Sequence, residues 1–410
     1  MKKYVIIGNG TAAVGCIEGI RTLDKDGKIT VISAENHHVY SRPLISYYLE
    51  GKTDLQKMKY RGDGFYKDNG CNVIYGKMAV SIDPEKKTVT LDDGEKVDYD
   101  ELCVAAGSRP FVPPFEGLET VTQKFGFMTL DDALSLEKAL TNNSRVLIVG
   151  AGLIGLKCAE GIAERVKEIT VCDLAGRVLS SILDDDCAPV VQRRLEDNGI
   201  KFLLADSVVK FDGDKAYMKS GKTVEFDILV LAVGVRANSE LVKQAGGEVN
   251  RGVIINEKSG TSIKSVYAAG DCAEGCDFLL GSNRVLAILP NAYMQGRAAG
   301  VNMAGGDAVY DNAMPMNSIG FFGLHIMTAG CYDGEMTEEK TEAGIKRFFE
   351  KDGYLRGFMI IGPTDRAGIY TSLIRNKTPL SEIDADFTKK VASSSIFSSE
   401  IRRKKFGGVV

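Results

Sequence analysis

The sequence has no C-x-x-C pair, although it contains nine cysteines. An odd number of cysteines without that spacing fits neither a disulfide scaffold nor a zinc ribbon. Histidine is scarce as well: there are three, and beyond the adjacent His37 and His38 no nearby histidine or cysteine has the spacing of metal ligands. We therefore expect no metal site, and free cysteines, most of them buried, in a reducing compartment.

Long apolar runs and an excess of positive charge are absent too. No uninterrupted run approaches the roughly 18 apolar residues that cross a bilayer. Only four apolar residues follow Lys3 before Gly8, too few for a signal peptide. The formal net charge of −4, from 51 basic and 55 acidic residues, argues against a nucleic-acid surface. We expect a cytoplasmic protein without a membrane span or a nucleic-acid partner.

Glycine is plentiful, with 45 residues that cluster at the ends of apolar runs. This distribution favours tight turns between strands and helices. An apolar run over 4–7 predicts a buried strand. GNGTAA follows it at 8–13, a helical pattern continues to about residue 23, and a second apolar run over 29–32 precedes Glu35. The first 35 residues therefore predict one βαβ unit.

The same arrangement recurs in the middle of the chain. An apolar run over 146–149 precedes GAGLIG at 150–155, and after a helical pattern another apolar run ends at Asp173. A shorter echo supports the duplication, because an apolar strand followed by Gly, one residue and Arg occurs at 107–109 and at 234–236. Two dinucleotide-binding units of similar plan are predicted.

The last hundred residues have a different character. From about residue 309, glycine and aromatic residues mix with alternating β patterns, as in 353–362. Together with the length of 410 residues, which indicates two or three domains at roughly 150 residues each, this predicts an α/β protein. Its parts are two Rossmann-like dinucleotide-binding domains and a small α+β C-terminal domain.

Each glycine-rich turn has residue types that a dinucleotide requires. The first glycine permits the tight turn, the second lets a pyrophosphate approach the backbone, and the third small residue lets helix and strand pack closely. The pyrophosphate then lies at the positive end of the helix dipole. Glu35 lies 22 residues after Ala13 and Asp173 lies 18 after Gly155, near the roughly 20 expected for a ribose-binding acid. A protein that binds two dinucleotides can pass a hydride from a nicotinamide to a flavin.

On these motifs, residues 1–310 resemble the pyridine nucleotide-disulfide oxidoreductase family of flavoproteins. The resemblance implies an FAD-binding domain formed by 1–115 and 238–308, an NAD-binding domain at 116–237, and a C-terminal interface domain at 309–410. It also implies that Asp271 contacts the FAD ribityl chain and that a helix beginning near 289 points at the flavin. The cofactor-binding residues that it implies are Gly8, Gly10, Ala13, Glu35, Arg42, Pro43, Val80, Gly107, Gly270, Asp271 and Ala292 for FAD, and Gly150, Gly152, Gly155, Asp173 and Gly234 for NADH.

One departure from the family concerns cysteine. Disulfide reductases of the family carry a reactive cysteine shortly after the first acid, but the segment 40–48 reads YSRPLISYY, and the first cysteine after Glu35 is Cys71. Since a thiolate nucleophile is required for that chemistry, its absence excludes that branch. Cys272 and Cys276 form a C-x-x-x-C pair, which we interpret as two incidental thiols rather than a redox pair.

A second departure is Lys157, at a position where many relatives have glutamate. A lysine there places positive charge near the flavin and the nicotinamide, paired with Glu160 three residues on. We take both as candidate catalytic residues. The alternative is an ordinary solvated lysine on a helix.

The YSRP-L pattern and the missing cysteine most resemble the NADH:rubredoxin oxidoreductase and nitrite-reductase-like branch. This resemblance implies an enzyme that takes a hydride from NADH onto FAD and passes electrons singly to a rubredoxin, ferredoxin or iron–sulfur partner subunit. The alternatives are a flavin-dependent NADH oxidase that reduces oxygen, and a structural flavoprotein subunit of a larger redox complex. We expect a homo-oligomer or a hetero-oligomeric complex.

Two further expectations concern nucleotide choice and docking. Asp173 should bond the ribose 2′-hydroxyl and repel a 2′-phosphate, which favours NADH over NADPH, whereas Arg177 weakens this expectation. The tail RRKK at 402–405 follows a serine-rich stretch. It is either a solvated terminus or a docking element for an acidic electron carrier.

Overall fold

The computed structural model describes residues 1–390. Its first sheet is built around the N-terminal strand, and all five of its strands are parallel. Their order across the sheet is Val266–Ala268, Glu101–Val104, Lys3–Ile7, Lys28–Ser33 and Cys71–Tyr75. The helix Thr11–Leu23 makes the first crossover. The strand before Gly270 thus returns to the sheet of the N-terminal residues, as the family resemblance implies.

The second sheet repeats this plan. Its five parallel strands are, in order, Ile200–Leu204, Glu168–Asp173, Arg145–Val149, Ile228–Leu231 and Lys124–Phe125. The helix Leu153–Ile162 follows its central strand. Each large sheet is accompanied by a three-stranded antiparallel sheet, formed by Ala79–Asp83, Thr88–Leu91 and Lys96–Asp98 in the first case and by Val208–Asp212, Lys215–Met218 and Thr223–Glu225 in the second. The predicted duplication is confirmed.

Two short strands join the two halves. Ser108–Pro110 pairs antiparallel with Val235–Ala237, so that Arg109 lies opposite Arg236. The two Gly-x-Arg echoes in the sequence therefore pair with each other. Arg109 also forms an ion pair with Glu240, at 2.6 Å. Smaller elements complete these halves: the helices Leu44–Leu49, Phe65–Asp68, Leu130–Ala139, Ala188–Glu196 and Glu240–Gln244, and the strands Val253–Ile254, Ala273–Asp277 and Ser282–Arg284.

The C-terminal part is a five-stranded antiparallel sheet with helices, which confirms the predicted α+β character. Its strands are, in order, Met316–Phe321, Leu324–Gly330, Tyr354–Ile361, Gly344–Lys351 and Glu335–Thr341. The helices Gly368–Arg375 and Ala385–Lys390 follow. Phe348, Phe358 and Tyr370 pack in its core. The basic tail at 402–405 lies outside the described residues.

Four glycines let two helices pack at backbone contact. A Cβ at Gly15 would lie 2.3 Å from the Tyr293 oxygen, and one at Gly300 would lie 2.1 Å from the Cys16 oxygen. Gly19 and Gly296 are equally crowded by the facing backbone. Any side chain would force Thr11–Leu23 and Leu289–Met303 apart. This packing fixes the helix that begins at residue 289 beside the first glycine-rich turn.

Within residues 1–390, none of the helices combines the length and the apolar character needed to cross a bilayer.

Candidate functional site

The first glycine-rich turn lies between the strand Lys3–Ile7 and its helix. Gly8 has a φ of +106°, and a Cβ there would lie 2.1 Å from the Ala105 oxygen, so only glycine fits. Gly10 caps the helix, and no described atom beyond its chain neighbours comes within 4 Å of a Cβ placed on it. An anionic pyrophosphate can therefore reach the free N–H groups at the helix start. Ala13 is fully buried.

The second turn makes the same steric demands. Gly150 has a φ of +118°, and its Cβ would lie 2.2 Å from the Ala232 oxygen. Gly152 caps the helix and faces open space. A Cβ at Gly155 would lie 2.0 Å from the Gly150 oxygen. Both turns are thus built to keep one glycine against the neighbouring strand and another open to a ligand.

The crowding residues Ala105 and Ala232 escaped the sequence analysis. Each lies two residues before a glycine of the Gly-x-Arg echo, which was the available signal. Gly107 and Gly234 both adopt positive φ, +64° and +115°, where the strand leaves the sheet for the joining ribbon. Their predicted cofactor contacts remain predictions.

Gly270 brings three elements together. It has a φ of +80°, and its Cβ would lie 3.1 Å from the Ala12 side chain and 3.4 Å from that of Ala292. Its N–H donates to Gln295 Oε1 at 2.9 Å. The return strand, the first helix and the helix Leu289–Met303 therefore meet at Gly270, and Asp271 follows directly.

Three charged residues of the predicted FAD site lie close together. Arg42 forms an ion pair with Glu35, and Tyr40 donates to the other carboxylate oxygen of Glu35 at 2.6 Å. Burial raises the pKa of Asp271, and the positive charge of Arg42 partly offsets this effect. Ser108 donates to Asp271 at 3.4 Å. Each carboxylate oxygen of Glu35 has one partner and Asp271 accepts from Ser108, so both side chains still have lone pairs for ribose or ribityl hydroxyls.

The two remaining predicted FAD contacts are Pro43 and Val80, and both are exposed. Pro43 is exposed and precedes the helix Leu44–Leu49. Val80 lies on the neighbouring antiparallel sheet with 43% of its surface exposed, which leaves its side chain open to a ligand.

Lys157 and Glu160 form the predicted ion pair, but the pair is not solvated. Their side chains are only 14% and 5% exposed. Lys157 Nζ donates to the Gly320 oxygen at 3.2 Å and lies 4.6 Å from the centre of the Tyr47 ring. Glu160 accepts the N–H of Phe322 at 2.7 Å. The alternative of a solvated helix lysine is therefore wrong: the pair joins the segment 40–48, the helix Leu153–Ile162 and a hairpin of the C-terminal sheet.

Asp173 is held by the second glycine-rich turn. Its Oδ2 accepts the N–H of Ala151 at 2.6 Å, and its Oδ1 accepts that of Ala175 at 2.8 Å. These bonds fix the carboxylate at the end of its strand, beside the loop that would hold a pyrophosphate. This is the position that the predicted contact with a ribose diol requires.

Arg177 is engaged elsewhere. Its Nε donates to the Leu183 oxygen at 3.0 Å, and its guanidinium pairs with Asp185 at 2.8 Å. These partners hold it in its own loop, with Asp185 as the ion-pair partner of its guanidinium. The preference for NADH over NADPH stays a prediction.

The two residues of the C-x-x-x-C pair differ in burial, and His37 is bonded to an aspartate. Cys272 is fully buried, donates to the Val104 oxygen at 3.2 Å, and has its thiol pKa raised to about 12 by burial, whereas Cys276 is exposed. His37 bonds Asp131 at 2.8 Å. Across residues 1–390, no group of three or more His, Cys, Asp or Glu side chains is placed to hold a metal ion.

Comparison with known proteins gives concordant results. The family model described as pyridine nucleotide-disulphide oxidoreductase matches residues 2–296. The epsilon subunit of NADH-dependent phenylglyoxylate dehydrogenase from Aromatoleum evansii is 32% identical, over 94% of each chain. An NADH oxidase from Methanocaldococcus jannaschii is 34% identical, over 75% of this chain and 71% of that one. Other matches include nitrite reductase, of which the chain covers 45%, and an NADH-rubredoxin oxidoreductase, so the resemblance to that branch is confirmed.

The fold is shared with solved structures. A ferredoxin reductase from Rhodopseudomonas palustris superposes with a TM-score of 0.87 at 24% identity, over 96% of this chain and all of that one. The parallel sheets, the two glycine-rich turns and these similarities agree. The chain belongs to the pyridine nucleotide-disulphide oxidoreductase family.

Proposed function

We propose that this chain is an NADH-dependent FAD oxidoreductase that hands electrons singly to an electron-carrier protein or iron–sulfur subunit. The observation that carries the proposal is the presence of two sterically matched dinucleotide turns together with a segment 40–48 that contains no cysteine. Bound FAD supplies the conversion between two-electron and one-electron transfer. Without a thiolate beside it, a disulfide substrate has no nucleophile to attack it.

The roles of the chain's own residues follow from their positions. Gly10 and Gly152 leave each helix N-terminus open for a pyrophosphate. Glu35 and Asp271 accept hydrogen bonds from hydroxyl groups of FAD, and Arg42 balances their charge. The buried pair Lys157–Glu160 places a fixed dipole without net charge near the flavin and the nicotinamide, and it holds the C-terminal hairpin in place. Such a preorganised dipole does not have to reorganise during the reaction.

The partner is proposed from chemistry and from similarity. A relative named as a subunit of an NADH-dependent dehydrogenase supports a role within a hetero-oligomeric complex; a homo-oligomer is the other arrangement we consider. Nine free cysteines support a reducing compartment, and we place the protein in the cytoplasm.

The test is anaerobic reduction of the bound flavin. Under argon, NADH should bleach the flavin absorbance rapidly, and a protein that retains FAD without bleaching would be a structural subunit instead. Turnover in air without any partner would favour the NADH oxidase. Gly152→Glu places a carboxylate in the open space of the second turn, so it should abolish bleaching while FAD stays bound. Loss of FAD in that variant would contradict the assignment of the second turn to NADH.

A further inference from the structure

A buried arginine of the C-terminal sheet holds the loop that follows Asp173. Arg347 lies on the strand Gly344–Lys351 with only 7% of its side chain exposed. It forms ion pairs with Asp184 and, at 2.9 Å, with Asp186, both from the NAD-binding half. Glu338 on the neighbouring strand accepts its Nε hydrogen at 2.6 Å. One cation is thus shared by three carboxylates, two of them from the loop.

The residue between these two aspartates holds Arg177. Asp185 pairs with the Arg177 guanidinium at 2.8 Å, and Arg177 Nε also donates to the Leu183 oxygen. Asp185 is 88% exposed, so the pair by itself is weak. The position of Asp185 depends on its neighbours, because Arg347 holds the residues on both sides of it.

The same loop is anchored to the nucleotide turn. The N–H of Leu179 donates to the Ala151 oxygen at 2.9 Å, and Asp173 accepts the N–H of Ala151. Leu179 is buried with a φ of +49°, a conformation that bulky residues adopt only when the surroundings impose it. The backbone of Arg177, four residues after Asp173, therefore lies beside the proposed nucleotide site. An arginine released there can bind a 2′-phosphate.

We propose that Arg347 is a remote specificity-determining residue for the nicotinamide nucleotide. By holding Asp184 and Asp186, it keeps Asp185 paired with Arg177 and so withholds Arg177 from a 2′-phosphate. Rejection of NADPH then depends on the C-terminal domain as well as on Asp173. This inference rests on the proposed use of NADH. Arg347 would act by lowering the fraction of protein molecules in which Arg177 is released from Asp185. A nucleotide that needs a released Arg177 binds in proportion to that fraction.

The test compares Arg347→Met with the wild type and with Arg356→Met. Arg356 is a matched control, since it is also mostly buried in the C-terminal sheet but contacts Asp333 and the Leu279 oxygen instead of the loop. We expect Arg347→Met to lower the KM for NADPH and the Kd for adenosine 2′,5′-bisphosphate by roughly threefold to tenfold. The kcat and the constants for NADH should stay unchanged, and Arg356→Met should show no gain.

Two further variants distinguish this mechanism from a general loss of rigidity in the nucleotide site. Adding Arg177→Met to Arg347→Met should remove the gain, and a gain that survives would overturn the proposal. If Arg347→Met does not fold, Asp186→Asn breaks the same contact from an exposed side chain and should give a gain in the same direction. Unchanged bisphosphate affinity in both variants would also overturn it. Failure of the proposed use of NADH is distinguishable, because NADH would then not reduce the wild-type flavin at all.

Discussion

Lys157 donates a hydrogen bond from its ammonium group to the backbone oxygen of Gly320, 163 residues away, at 3.2 Å. This bond ties the helix after the second glycine-rich turn to the hairpin of the C-terminal sheet. Apolar packing joins the same elements, since Phe321 lies in one hydrophobic cluster with Leu156 and Ala159. The C-terminal sheet is therefore packed on the half that contains the second glycine-rich turn, next to the residues that we propose act on the nicotinamide.

Removing the buried lysine should destabilise the protein. Lys157→Met leaves the carboxylate of Glu160 buried with only the N–H of Phe322 as partner, which costs about 3 kcal/mol of unfolding free energy. Lys157→Met combined with Glu160→Gln should recover most of this loss, since no unpaired charge remains. Urea unfolding followed by circular dichroism gives both values. In the exposed pair of Lys57 and Asp54, Lys57→Met should lower the unfolding free energy far less, because solvent screens the pair. Equal losses at the two lysines would contradict the buried pairing.

NADH should be preferred over NADPH, because Asp173 accepts from the ribose 2′-hydroxyl and repels a 2′-phosphate. Asp173→Ala should lower the ratio of kcat/KM for NADH to kcat/KM for NADPH. Because this carboxylate also accepts the N–H of Ala151, Asp173→Asn is the sharper variant: it keeps an acceptor oxygen and removes the charge. The measurement is kcat/KM for both nucleotides. Equal specificity constants in the wild type would disprove the preference.

Asp271 should lower the stability of the FAD-free protein at neutral pH. Burial raises its pKa above the ordinary 3.8, so the folded state binds the proton more tightly than the unfolded state. The stability that this proton contributes is fully present below pH 3.8 and is lost as the pH rises through the folded-state pKa. Asp271→Asn should therefore raise the thermal midpoint at pH 7 and have no effect below pH 3.8, while it weakens FAD binding.

Asp333 is the control of opposite sign. Its pKa is lowered to about 2, mainly by the Cys331 thiol hydrogen bond, with Lys351 and Arg356 contributing. Its stabilisation is present above pH 3.8 and is lost as the pH falls toward 2. Asp333→Asn should lower the thermal midpoint at pH 7. If both variants shift the midpoint in the same direction, the burial argument for Asp271 is wrong.

No cysteine should be essential for flavin reduction. Cys272 is buried, and a thiol with a pKa of about 12 is protonated at neutral pH, whereas the thiolate is the reactive form. Iodoacetamide should label Cys276, which is exposed, without slowing the anaerobic bleaching by NADH. In stopped flow, NADH should reduce the flavin of the double variant Cys272→Ala/Cys276→Ser at the same rate as that of the wild type. Loss of reduction in a variant that keeps FAD would show that the pair is functional.

The two glycine-rich turns could be predicted from the sequence because their chemistry is local. A strand, a glycine with positive φ, an open helix N-terminus and an acid at the next strand end lie within 35 residues of each other, as in Gly8 to Glu35. Repetition of the pattern made it specific. The Gly15 and Gly19 pair and the Gly296 and Gly300 pair were visible in the sequence too, but their meaning depends on two helices that lie far apart along the chain.

The sequence by itself therefore determined the fold class, the two glycine-rich turns and the absence of a thiol at 40–48. Only the tertiary structure decided how the charged residues are used. Lys157 is buried because the hairpin at Gly320 covers it, and Arg347 holds both neighbours of the aspartate that pairs with Arg177. Both outcomes depend on contacts between residues more than 100 positions apart. Such contacts are set by how sheets and helices pack against each other, and periodicity and spacing along a chain carry no record of that packing.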